Sequence, residues 1–154
     1  MDKEPQVFRI IELGDLLENT QSYKGAEWRL GQICATAESD TVELVYTFVK
    51  GGNVENLEIH IPENTVVPSI SSTYLEAFVF ENETHDLFGV DFSDVAIDYE
   101  GKFLKTSVVS PGNPHSEAAV AAARKAGAAV DVHEAAGASA DTHENTAADK
   151  EGDA

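Results

Sequence analysis

Residues 41–62, TVELVYTFVKGGNVENLEIHIP, decide the fold. Val42, Leu44, Tyr46 and Phe48 alternate with Glu43, Val45 and Thr47, the two-residue period of a strand with one buried face. Leu57, Ile59 and Ile61 alternate with Glu58 and His60 in the same way, up to Pro62. Gly51-Gly52-Asn53 lies between the two runs and predicts a tight hairpin turn. A hairpin that is apolar on one face needs a second layer to cover it. His60 falls on the polar face and is expected in solvent.

Upstream, Trp28 to Thr36 is a third strand, with Trp28, Leu30 and Cys34 alternating in part, joined to the hairpin by the turn Glu38-Ser39-Asp40. Cys34 is expected to be a small buried thiol. Asp15 to Tyr23 is predicted as the first helix. Leu16 and Leu17 lie on its apolar side, with Leu13 before it and Gly25 after it. Val7 to Ile11 fits a short strand or a lead-in to that helix.

Downstream, Val66-Val67-Pro68-Ser69 leads into a second helix, for which Ser71 or Ser72 is the expected N-cap. The stretch YLEAFVFENETHDLFGVDF, residues 74–92, begins with Leu75, Phe78 and Val79 at the spacing of one helical face. The same face then reaches Asn82, His85 and Gly89. Glu81, Glu83 and Asp86 crowd these turns with no Lys or Arg near in sequence. Gly89 is placed to stop the helix in a left-handed conformation. Two short strands, Val95–Tyr99 and Phe103–Thr106, are expected around Glu100-Gly101-Lys102. The order of elements gives an α+β domain of two layers, with helices on one face of a mainly antiparallel, mixed sheet.

The chain has 154 residues, enough for one domain, or one domain and a tail. All 12 aromatic residues lie at or before Phe103, and nothing from Pro111 onward is aromatic, Leu, Ile or Met. Such a segment buries too little apolar area to offset its ordering entropy. Residues 1–110 are therefore expected to hold the fold and 111–154 to form an acidic, Ala/Gly-rich disordered tail. Ser116–Ala126 has the composition of a transient helix. The tail holds His115, His133 and His143, too scattered to suggest a metal site.

With 28 acidic residues against 10 basic ones, the net charge is −18. That disfavours nucleic acid and direct docking on anionic lipid. One cysteine cannot form an intramolecular disulfide, nor by itself a cysteine-ligated cluster. MDKEPQ is polar and no apolar run approaches a membrane span, so a cytoplasmic location is expected. No glycine-rich phosphate loop or nucleophile elbow is present in the sequence. Glu81 and His85, one helical turn apart, would be two metal ligands at most. Glu81 and Glu83, two apart, point to different faces of a helix. The acidic turns therefore have three readings: internal hydrogen-bond acceptors, contacts to a neighbouring chain, or a small stand-alone metal- or acid/base-dependent enzyme built on Glu81, Glu83, His85 and Asp86.

The segment FENETHDLFGVDF resembles the signature of the 30-kilodalton subunit of respiratory NADH dehydrogenase (complex I), a family shared with subunits of membrane-bound, energy-converting nickel–iron hydrogenases. Glu81, Glu83, Asp86, Phe88 and Gly89 match its pattern, with Asn82 where the family has arginine and His85 within the variable step. VELVYTFV and LEIHIPENTVVPSISSTY resemble the family's strand pair and its Val-Pro-Ser step. The Gly-His-Pro element and the basic residues of the quinone-linked enzymes are missing, a shortening similar to the hydrogenase branch, including formate hydrogenlyase. The resemblance implies a two-layer α+β fold without catalytic residues, cofactor or metal of its own. It implies an accessory subunit of the hydrophilic arm, beside the large catalytic subunit and the iron–sulfur subunits. Contact with the membrane would then be indirect, peripheral to its inner face. Residues 81–89 would face or brace the large subunit.

Overall fold

The computed structural model describes residues 6–125. Ten short elements follow one another. They are β1 (Val7–Ile10), a 3-10 turn (Leu13–Asp15), α1 (Leu16–Gly25), β2 (Arg29–Ala37), β3 (Thr41–Lys50), β4 (Asn53–Pro62), β5 (Val66–Pro68), α2 (Ala77–Phe88), β6 (Asp91–Ser93) and α3 (Glu117–Lys125).

The hairpin forms as its alternation predicts. β3 and β4 pair antiparallel from Thr41↔Pro62 to Lys50↔Asn53. The two-residue turn places Gly51 at φ +61°, where a side chain would be strained. β2 continues the antiparallel sheet on one side and β1 joins the other, parallel to β4, giving the order β1-β4-β3-β2. The fold is thus the expected α+β type with a mixed, mostly antiparallel sheet.

Val42, Leu44, Tyr46, Phe48, Leu57, Ile59 and Ile61 form the buried side of the sheet. α1 closes one end of it. The Tyr23 ring stacks on Phe48 with centroids 4.4 Å apart, and Trp28 meets Tyr23 edge-on. The Tyr23 hydroxyl reaches Glu55 at 2.5 Å, and burial together with that carboxylate pushes its pKa up to about 12. α2 packs beside β2, led in by the fully buried Ile70 and Tyr74.

Four expectations are corrected. Cys34 is exposed, because the pairing slips between Leu30 and Gln32; Gly31 is the extra residue, and the bulge carries Ile33 inward instead. Leu17 is largely exposed while Leu16 is fully buried, so α1 buries a narrower stripe of Leu16, Thr20 and Tyr23. α2 begins at Ala77, and Ser71 and Ser72 sit in turns before it. No strand forms over 95–99 or 103–106. The partner of β5 is β6, which runs parallel to it, and residues 94–110 cross α2 as an irregular strap.

Residues 111–125, assigned to the tail by composition, are described. Gly112 donates its N–H to the Leu87 carbonyl at 2.7 Å, and Asn113 is buried against the end of α2. A side chain at position 112 would meet the Phe88 ring at 2.7 Å, so only glycine fits there. α3 follows, with Ser116 capping it through the Ala119 N–H. The rest of the tail assignment, 126–154 with His133 and His143, lies outside the described residues.

Candidate functional site: the signature helix and its strap

α2 carries its chemistry inside out. Its inward face is Ala77, Glu81 and Thr84, with Tyr74 just before it and Asn82 at its side; all are buried. Leu75 and Val79, read as one helical face with Phe78, are 59 % and 37 % exposed. Phe80 and Phe88 pack partly against the core.

Glu81 is 1 % exposed and makes two hydrogen bonds. Ser69 Oγ donates to one carboxylate oxygen at 2.7 Å and the Ile70 N–H donates to the other at 2.9 Å. The carboxylate thereby fixes the segment between β5 and α2. Burial raises the Glu81 pKa, and the two hydrogen bonds partly offset the shift. Tyr46 Oη is buried nearby with no hydrogen-bond partner among the described residues. Burial and the negative field of Glu81 both hold that phenol in its neutral form.

Asn82 ties the strap down. Its amide nitrogen donates to the Phe78 and Ile97 carbonyls at 2.7 and 2.8 Å, and its oxygen accepts the Tyr99 N–H at 2.9 Å. Asp86 accepts the Leu104 N–H at 2.5 Å further along. Ser71 Oγ accepts the Ala96 N–H at 2.8 Å. These side chains do for the strap what a ladder does for a strand, which is why apolar, β-branched 95–99 is not one. His85 Nδ1 lies 3.0 Å from the Val90 carbonyl and 3.3 Å from Asp91, over the helix end. Gly89 stops the helix at φ +74°, with its N–H on the His85 carbonyl. Glu83 is half-buried.

The signature acids therefore diverge. Glu81 points to the β5 side, Asp86 to the strap, and His85 to the helix end. Both Glu81 oxygens accept from Ser69 and Ile70, whereas Asp86 accepts the Leu104 N–H on one oxygen and its other oxygen is buried with no partner among the described residues. A cleft of about 220 Å³ lies between α2 and the strap, lined by Asn82, His85, Asp91, Asp98 and Glu100 among others. Ser69 and Ser71 complete the buried network, and Tyr46 lies beside it without a hydrogen bond. Sequence reasoning missed them because they come from two segments apart from α2, namely β3 and the turn after β5.

The site is thus a helix of a mixed-sheet α+β domain, held in place by the hydrogen bonds of its own Glu81, Asn82 and Asp86. The chain belongs to the family of the respiratory-chain NADH dehydrogenase 30 kDa subunit, whose pattern matches residues 10–119. Among solved structures, a chain of the membrane-bound sulfane sulfur reductase, an archaeal respiratory membrane complex, shares the fold with a TM-score of 0.63. The two are 20 % identical, and the match covers 87 % of this chain and 85 % of that one. No curated protein matches the chain. Among the described residues no helix is long and apolar enough to cross a membrane.

Proposed function

We propose that the chain is a cofactor-free accessory subunit in the hydrophilic arm of a membrane-bound redox complex. The complex would be of the energy-converting hydrogenase or NADH dehydrogenase type. The subunit would sit on the cytoplasmic side, brace the large catalytic subunit beside the iron–sulfur subunits, and meet the membrane only through the assembly. Family membership supports this reading, as does a fold shared with a chain of an archaeal respiratory membrane complex. The observation that carries it is the outward face of the signature helix. Leu75, in the turn just before α2, and Val79 within it are exposed, and Ile97 and Tyr99, each 44 % exposed, lie on the strap that Asn82 ties to α2. Exposed apolar side chains on α2, at its start and on the strap bound to it would supply the apolar part of such a contact. Glu76, Asp98 and Glu100 lie next to them in sequence and Glu83 one helical turn after Val79, and their charge would choose a basic-rimmed partner and fix its register.

The rival reading, a stand-alone enzyme using Glu81, Glu83, His85 and Asp86, is not favoured by side chains that point apart. Co-purification of the native assembly tests the choice. The pair Leu75→Asp and Val79→Asp should leave the melting of the isolated chain close to wild type. The same pair should abolish recovery of the large subunit with a tagged chain. Full recovery of the large subunit by the doubly substituted chain would refute the proposed interface.

A further inference from the structure

On the opposite face of the sheet, a second group of side chains has no role in the network above. We propose that His60, Glu43 and Glu38 form a solvent-accessible site for a first-row divalent cation such as zinc, with Glu58 as the positioning residue. The three donor atoms lie within 4.8 Å of one another. Glu43 and His60 are directly paired across β3 and β4, so the sheet register holds them side by side. Glu38 comes from the turn before β3. Its carboxylate accepts the Thr41 hydroxyl at 3.0 Å, and its N–H is bonded to the Thr41 carbonyl, so the turn aims it at the same point.

The histidine itself distinguishes this group from a patch of surface acids. His60 Nε2 lies 2.8 Å from Glu58, and Nδ1 lies 3.8 Å from Glu38. An Nε2–H donated to Glu58 leaves the Nδ1 lone pair facing Glu38 and Glu43. A carboxylate behind the imidazole is the arrangement that orients a metal-bound histidine and raises its basicity. One imidazole and two carboxylates, open to solvent, leave room for water as a fourth ligand, and imidazole nitrogen favours zinc, nickel or copper over magnesium or calcium. Ligand bonds of about 2 Å would require the three side chains to draw together around the ion. A bound ion would clip the turn at Glu38 to β3 and β4.

The test uses the full chain, stripped of metal and titrated with zinc chloride by calorimetry, with the His60 ring nitrogens followed by NMR. Wild type should bind one zinc ion in a step that shifts the Nδ1 resonance. His60→Gln and Glu43→Gln should each lose that step, and any residual binding they share is the background from the tail histidines. Glu58→Gln should weaken the step by about tenfold or more while preserving its stoichiometry. Isotherms for His60→Gln and Glu43→Gln that overlay wild type, or His60 resonances unmoved at saturating zinc, would overturn the site. Unchanged affinity in Glu58→Gln would remove the positioning role.

Discussion

Replacing Glu81 by alanine tests the central lock of the fold. The substitution removes the acceptor of both the Ser69 hydroxyl and the Ile70 N–H. Ser69 is 5 % and Ile70 0 % exposed, so water does not readily replace the lost acceptor. Each orphaned buried donor costs about 1–3 kcal/mol. The ionised carboxylate also carries a desolvation cost that the variant avoids, so a net loss of about 3 kcal/mol at pH 5 is expected. Against the 5–15 kcal/mol typical of a domain, that is a large share. The sign of the pH dependence follows from the raised pKa. Between the unfolded and folded pKa values the native state holds more protons than the unfolded chain, so wild-type stability falls as pH rises through that window. Glu81→Ala lacks this term, and the gap between the two proteins narrows toward higher pH. Glu81→Gln keeps the shape. Its carbonyl accepts the Ile70 N–H and its amide can donate to Ser69 Oγ, which already contacts Ser71 Oγ at 2.6 Å. It should cost about 1 kcal/mol and share the flat pH profile. Urea unfolding followed by circular dichroism from pH 4 to 8 reads all three proteins. A loss under about 1 kcal/mol in Glu81→Ala, or a stability gap that does not change with pH, would refute the reasoning.

Three further perturbations address the strap and the end of the helix. Asn82→Ala removes three hydrogen bonds and should cost about 2 kcal/mol, with faster hydrogen exchange at the Tyr99 amide as the local sign of a released strap. Asp86→Ala leaves the Leu104 N–H without its acceptor and should lower the urea midpoint, whereas Glu83→Ala, with no hydrogen bond to lose among the described residues, should leave it unchanged and act on assembly alone. Gly112→Ala forces a methyl group into the Phe88 ring and the Leu87 carbonyl, and a loss of about 1–3 kcal/mol in thermal unfolding is expected.

Sequence periodicity is a good guide where burial and backbone pairing agree. β3 and β4 show this: every second residue of Val42–Phe48 is buried, and the glycines between the strands turn the chain as expected. It fails where one residue is inserted, as at Gly31, because a bulge reverses the alternation for everything after it and sends Cys34 to the surface. It fails again over 95–106. β-branched and aromatic residues there look like strands, yet their backbone groups are taken by Asn82, Asp86 and Ser71. Tertiary hydrogen bonds of that kind leave no local pattern. The phase of α2 departs from its apolar periodicity for a related reason. Leu75, Phe78 and Val79 read as the buried stripe, whereas Tyr74, Ala77 and Glu81 are the residues that go in. The available signal was Glu81 itself, an acidic residue with no basic neighbour in sequence and hydroxyl-bearing Ser69 and Ser71 upstream.

That reversal bears on why the helix is built as it is. A lone soluble domain gains by turning Leu75 and Val79 inward and Glu81 outward, since apolar burial stabilises and carboxylate burial costs. Here the opposite phase is held by two donors on Glu81 and three contacts on Asn82, so the arrangement is specified rather than tolerated. Buried polar groups with satisfied partners trade stability for one defined orientation. That orientation leaves Val79 outside, with Leu75 before the helix and Ile97 and Tyr99 on the strap also exposed, in a chain with net charge −18. Exposed apolar groups lower the free energy only when another surface covers them, and the proposed interface would supply that cover.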